Sequence, residues 1–214
     1  TSEVEAWARG QGLAAERVRV YAADVRDVDG ITGAGRACIA EQGLPDVVIA
    51  SAGISVGVDT AEFANREQMR ATFETNNIGM AATFQPFLRG MRERRSGTLV
   101  GIASVAGIRG LPGHGAYCAS KAAVISYCES LRGECRPFGI KVVTIGPGYI
   151  DTPMVRAIPN ELRRQLMWAI PVGRASTAGP VAGAIALRAE ASSRPALALA
   201  SRSATLIALS WSQA

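Results

Sequence analysis

The sequence predicts an α/β fold built on a doubly wound parallel sheet, and three observations carry that prediction. Short apolar runs at residues 18–23, 46–50, 97–103 and 140–145 alternate with longer helical stretches at 27–42, 63–95 and 116–136. The runs are nearly continuous in apolar character, as strands covered on both faces are, rather than alternating with polar residues. Glycine and proline close them, at Gly53 and at Gly146-Pro147-Gly148. Strands that alternate with helices require crossover connections, which are right-handed and give a parallel sheet.

In chain order, residues 18–23 (VRVYAA) read as a strand ending at Asp24, and 27–42 as the helix that follows. Residues 46–50 (DVVIA) have strand length. The stretch 63–95 holds at least one long helix, with an interruption expected near Pro86, because proline lacks the N–H of the helical ladder. Residues 97–103 (GTLVGIA) form the next strand. The helix over 116–136 ends before Pro137 and Gly139, the residues that cannot continue it. Residues 140–145 (IKVVTI) complete the pattern. In such sheets ligands bind beyond the carboxyl ends of the strands. The residues that follow the strands are Asp24, Ser51-Ala52-Gly53, Ser104 and Pro147-Gly148. The stretch 172–214 differs: it is rich in Ala and Ser, and Glu190 is its only acid. It reads either as a helix over 181–191 with a strand over 204–211, or as a poorly patterned tail.

Composition narrows the function classes. With 48% hydrophobic and 19% charged residues, the 214-residue chain supports one domain over 1–214 with a real core. It contains no run of about 18 apolar residues, so no membrane partner is expected. No signal-like segment opens it, so the cytoplasm is the expected location. The net charge of +5 comes largely from Arg. The densest groups, Arg92, Arg94 and Arg95, then Arg163 and Arg164, are short and interrupted. They fit solvated helix faces better than a nucleic-acid surface. Cys38, Cys118, Cys128 and Cys135 form no Cys-x-x-Cys pair, and His114 is the single histidine. No metal is therefore expected, and the thiols are read as reduced and mostly buried.

The chemistry is carried by Tyr117-Cys118-Ala119-Ser120-Lys121. Tyr and Lys four apart share one helix face, their Cβ atoms about 5–6 Å apart. A free phenol has a pKa of about 10, and a neighbouring ammonium favours the phenolate. A tuned Tyr can trade a proton with a hydroxyl or carbonyl. Alone, the pair also fits a Tyr packed on a Lys stem. Three further segments accompany it: Gly101-Ile102-Ala103-Ser104-Val105-Ala106-Gly107, Pro147-Gly148-Tyr149-Ile150-Asp151-Thr152, and Ser51-Ala52-Gly53. In order and spacing these resemble the short-chain dehydrogenase/reductase family over roughly residues 18–155.

The resemblance implies a Rossmann-like, three-layer α/β/α domain and hydride transfer between NAD or NADP and a secondary alcohol or ketone. It makes Tyr117 the acid–base. Lys121 lowers its pKa and holds the nicotinamide ribose. Ser104 orients the substrate oxygen, and Asn76 joins a proton relay. Asn76 is chosen over Asn77 because the family spacing is Asn-x-x-Gly, and Gly79 follows. Asp24 and Val25 match the adenine-contacting position, although Asp24 also suits a helix cap. Ser51, Ala52 and Gly53 replace the family's Asn-Ala-Gly. Pro147, Gly148, Ile150 and Thr152 match the nicotinamide side, although Pro147-Gly148 also reads as a plain turn. His114 stands either on a surface loop or at the edge of the substrate pocket.

One departure shapes the expectation. The family opens with a strand and a Thr-Gly-x-x-x-Gly-x-Gly loop that brings pyrophosphate to a helix N-terminus. No such loop is found. Thr32-Gly33-Ala34-Gly35 does not qualify, because Ala37 and Ile39 stand where further glycines belong, and it is read as a turn of helix. The first β-α-β segment is therefore expected to be missing, which hides the choice between NAD and NADP and predicts weak dinucleotide binding. A non-catalytic remnant of the fold is the alternative function. A same-fold lyase or epimerase is disfavoured by Pro147-Gly148. A homodimer or homotetramer built on 63–95 and 116–136 is expected, since Met80, Ala81, Phe84, Ala122, Ala123 and Ile125 are too many for one buried face.

Overall fold

A computed structural model of the chain describes residues 2–10, 12, 18–57, 59–62, 65–150 and 160. The described strands are β1 (Val47–Ala50), β2 (Gly97–Ile102) and β3 (Ile140–Ile145), ordered β1-β2-β3 and parallel throughout. The helices are α1 (Ser2–Gly10), α2 (Val28–Gln42), α3 (Arg66–Phe73), α4 (Gly79–Arg94) and α5 (Gly115–Cys135). The α/β class and the parallel sheet are as the sequence predicts.

Side chains alternate across a strand, so one face of this sheet carries Val48, Ala50, Leu99, Ile140 and Val142. These pack with Cys38 of α2, with Phe84, Phe87 and Met91 of α4, and with Val124, Cys128 and Leu131 of α5 in one buried cluster. Two right-handed crossovers running in the same direction put α4 and α5 on the same face. Of the three expected layers, these residues describe the sheet and that helix layer. Gly101 makes the close packing possible: a Cβ there would stand 2.6 Å from Cys128 Sγ. None of the four cysteines is in a disulfide, and all are buried.

Several expectations are corrected. The run 18–23 joins no ladder among the described residues, and a strand exists only through a neighbour. It is tied down by side chains instead. Tyr21 packs against the main core, its hydroxyl donates to Glu41 Oε2 at 2.8 Å, and Gln42 Nε2 donates to it at 3.2 Å. The break in the long helical stretch lies in a π turn at Glu74–Ile78, not at Pro86, which is carried inside α4. Gly35 of α2 makes room for the proline ring, since a Cβ there would lie 2.7 Å from Pro86 Cγ.

Met80 and Phe84, counted as surplus for a second face, are core residues at 5% and 0% exposure. Of the Arg group at the end of α4, Arg94 and Arg95 are exposed but not merely solvated: Arg94 donates to the carbonyls of Leu44, Pro45 and Ser96, and Arg95 to that of Pro137. Thr32 to Gly35 lies within α2, as read. The helix and strand expected over 181–191 and 204–211, and the whole stretch 172–214, lie outside the described residues. No described helix is long and apolar enough to cross a membrane.

Candidate active site

The residues singled out from the sequence converge at the carboxyl ends of the strands. Beyond β1 runs the segment 51–57, beyond β2 the turn at Ser104, and beyond β3 the segment 146–150. The ladder between β2 and β3 extends past the strand ends: Ala103 N–H donates to Ile145 O at 2.7 Å and Val105 N–H to Pro147 O at 3.0 Å. Pro147 thus runs alongside Ser104.

Ser104 caps the 3-10 turn Val105–Gly107, its Oγ accepting from Ala106 N–H at 3.1 Å. Gly107 in that turn lies directly against the α5 backbone. A Cβ there would stand 2.7 Å from the Lys121 carbonyl carbon and 2.8 Å from Ala122 N, so only glycine fits. This contact fixes the Ser104 turn against the helix that carries Tyr117 and Lys121. α5 needs no strong cap to start: His114 is its N-cap residue but makes no side-chain cap bond, and its Nδ1 lies 3.3 Å from Pro112 O.

Tyr117 is partly buried, and burial pushes its pKa up, only partly offset by a side-chain hydrogen bond with Ser104. That direction is opposite to the one the sequence suggests. The reason is placement. The Lys121 ammonium stands 5.7 Å from the Tyr117 ring centroid, over the ring, and its Nζ donates to Ile102 O at 2.8 Å. Burial, to 5% exposure, pulls the Lys121 pKa from 10.5 down to about 8.

Asn76 sits in the π turn at 1% exposure. Its amide reads the backbone of Ile54 from both sides, accepting from the N–H at 2.8 Å and donating to the carbonyl at 3.0 Å. Its second N–H goes to Ser120 Oγ at 2.9 Å, and that hydroxyl donates to Tyr117 O at 2.8 Å. A π turn widens the helix by one residue and often marks a functional position. Here it sets Asn76 between the loop after β1 and α5. Asn77, the rejected neighbour, faces elsewhere and donates to Ser120 O at 2.9 Å.

Gly53 closes the set. A Cβ on it would lie 3.2 Å from Asn76 Oδ1 and 3.3 Å from Lys121 Nζ, so glycine lets the loop after β1 approach both groups closely. Ser51 and Gly148 are exposed, Ala52 packs on a small second cluster, and Ile150 is half-buried. Val25 is a core member of that cluster, with Ile31 and Ala82. Asp24 is engaged by Arg26 through its side chain (2.8 Å to Nη2) and its backbone N–H (2.9 Å), which together lower the carboxyl pKa. The cap of α2 is Asp27, whose side chain accepts from Gly30 N–H at 3.0 Å, so Asp24 is not a cap. Thr152 lies outside the described residues.

Sequence reading gave Ser120 no role. Ser120 is wholly buried between Asn76 and Tyr117, and only its place in Tyr-x-x-Ser-Lys could have flagged it. Tyr149 has a hydroxyl shut off from solvent without a hydrogen-bond partner.

A phenol, a hydroxyl, an ammonium and an amide thus lie together beyond the carboxyl ends of a parallel sheet. A family model described as short chain dehydrogenase matches residues 1–163. The chain belongs to that family, whose members share this α/β architecture.

Among individual relatives, an uncharacterised oxidoreductase of Myxococcus xanthus (strain DK1622) is 40% identical over 147 residues, 69% of this chain and 56% of the relative. An acetoacetyl-CoA reductase of Acinetobacter sp. (strain RA3849) is 31% identical over 84% of this chain and 72% of its own length. The crystal structure of a 3-oxoacyl-[acyl-carrier protein] reductase from Brucella melitensis ATCC 23457 superposes with a TM-score of 0.76 at 30% identity, covering 87% of this chain and 69% of that one. The chain thus spans little more than half the length of the first of these relatives.

Proposed function

We propose that this chain performs reversible hydride transfer between NAD or NADP and a small-molecule ketone or secondary alcohol, with Tyr117 as acid–base. The observation that carries the reading is the convergence of the Tyr117 phenol, the Ser104 hydroxyl and the Lys121 ammonium beyond the carboxyl ends of the strands. The Lys121 ammonium has one acceptor, Ile102 O, among the described residues, and its remaining N–H bonds are free to reach a ribose hydroxyl. The bound nucleotide supplies the hydride; the protein supplies orientation and the proton.

Ser104 holds the substrate oxygen next to the phenol. Burial keeps Tyr117 protonated at neutral pH, ready to donate to the alkoxide that develops when a ketone is reduced. Asn76 fixes the loop at Ile54 and, through Ser120, the first turn of α5. Asp24 and Val25 are assigned to the adenine side, and Ser51, Ala52, Gly53, Pro147, Gly148, Ile150 and Thr152 to the rest of the nucleotide. The oxoacyl reductases among the relatives support a 3-oxoacyl compound as the substrate class.

The test is Tyr117→Phe, which keeps the ring and removes the proton carrier. Turnover is expected to vanish while NADH or NADPH, followed by fluorescence, still binds and the circular dichroism spectrum is unchanged. Retention of more than roughly a tenth of wild-type turnover refutes the assignment. A wild-type chain that binds neither nucleotide is instead a non-catalytic remnant.

A further inference from the structure

Lys121 is tied both at its tip and along its backbone. Its Nζ donates to Ile102 O at 2.8 Å. The peptide group that follows it lies against Gly107, where a Cβ would stand 2.7 Å from the Lys121 carbonyl carbon and 2.8 Å from Ala122 N. The peptide group that precedes it is held as well: Asn77 Nδ2 donates to Ser120 O at 2.9 Å, and that carbonyl belongs to the bond joining Ser120 to Lys121.

Asn77 comes from the π turn Glu74–Ile78. Neighbouring residues of a regular helix point about 100° apart, so two in a row do not normally meet one partner. Both asparagines of this turn nevertheless end on Ser120, Asn76 on its hydroxyl at 2.9 Å and Asn77 on its carbonyl. From there the two contacts diverge. Asn76 leads through the Ser120 hydroxyl back to Tyr117 O, and Asn77 leads forward to Lys121.

Stability does not account for Asn77. Ser120 lies inside α5, so its carbonyl serves the helix ladder with or without Asn77, and the asparagine takes the second lone pair. The other end of the amide is a liability: Asn77 Oδ1 is buried, and no described residue hydrogen-bonds to it. A buried oxygen left unpaired lowers stability, and a leucine at this position would carry no such oxygen. We propose that Asn77 is a positioning residue for Lys121: together with Gly107 on the following peptide group, it fixes the Lys121 backbone and so the place at which the ammonium meets the nicotinamide ribose. The inference rests on the role proposed above for Lys121.

The experiment is a double-mutant cycle read by nucleotide binding. NADH and NADPH are titrated by fluorescence into wild type, Lys121→Met, and Asn77→Leu and Asn77→Ala in each of those two backgrounds, with folding checked by circular dichroism. With Lys121 present, either Asn77 variant is expected to weaken nucleotide binding roughly five-fold, the size of one hydrogen bond. In Lys121→Met, which is itself expected to bind more weakly than wild type, neither is expected to cause a further loss, because no ammonium remains to be placed. In ketone reduction the Asn77 variants are expected to raise KM for the nucleotide and to leave KM for the ketone unchanged.

An equal loss with and without Lys121 would make Asn77 a merely structural residue and overturns the inference. So does an Asn77 variant that binds as wild type does, or a ketone KM that rises as far as that of the nucleotide. If one Asn77 variant does not fold, the other decides; if neither folds, Asn77 holds the fold and the inference falls. The reading beneath fails differently: wild type binds neither nucleotide, or Lys121→Met binds as tightly as wild type.

Discussion

Replacing Lys121 by Met is expected to remove a pH-dependent contribution to stability whose sign and window follow from burial. Folding moves the Lys121 pKa from 10.5 to about 8. Below about pH 8 both folded and unfolded chains hold the proton, and the folded chain bears the full penalty of a buried ammonium. Between about 8 and 10.5 the unfolded chain still holds the proton while the folded chain has released it, so the stability of wild type relative to Lys121→Met rises with pH. At roughly 1.4 kcal/mol per pH unit the whole window amounts to about 3 kcal/mol.

Urea unfolding of both proteins from about pH 7 to about pH 10 measures most of that rise, and the other titrating groups, common to both, cancel in the difference. The same titration is expected in kcat/KM for ketone reduction. Activity is expected to fall above a pKa of about 8, as the charge beside the proposed ribose site is lost while Tyr117, with its raised pKa, remains protonated. A stability difference that stays flat with pH would show that Lys121 keeps its ordinary pKa, and would refute the buried, singly anchored ammonium.

Gly107→Ala is expected to destabilise the chain by about 1–3 kcal/mol and to lower turnover, because its Cβ would drive the Ser104 turn off the α5 backbone; a variant as stable and active as wild type in urea titration and steady-state kinetics would refute that contact. Light scattering is expected to give a dimer or tetramer, with the outer face of α4 and α5 covered: Tyr127 is 38% exposed there, and Leu88 and Phe138 line a groove of about 510 Å³. A purely monomeric protein would refute it.

What the sequence disclosed is what depends on near neighbours in the chain. The strand over 140–145, the helix start at Asp27 and the end of α5 before Pro137 are local decisions, written in residues a few positions apart. The run 18–23 failed as a strand because pairing is not local: six residues of strand composition join no ladder among the described residues. The π turn escaped for a related reason. Pro86 was the visible breaker, but its ring is accommodated by Gly35, fifty-one positions earlier, and the helix yields instead at Glu74–Ile78, where Asn76 answers the backbone of Ile54.

The candidate site divides in the same way. Tyr117, Lys121, Ser104 and Asn76 could be named because their types and spacings are specific, and the structure does bring them together. Their electrostatics could not be read, because these depend on burial. From spacing alone, an ammonium four residues along a helix stabilises the phenolate. In the folded chain that ammonium is turned to Ile102 O and has itself lost part of its preference for charge, while the phenol is desolvated. Desolvation disfavours the charged form of both groups, pushing their pKa values apart, the phenol's up and the ammonium's down. A pair prepared in this way holds its proton on the phenol at neutral pH. In the proposed reaction it therefore stands ready for reduction, in which the phenol would give the proton up, while oxidation would first need a partner that favours the phenolate.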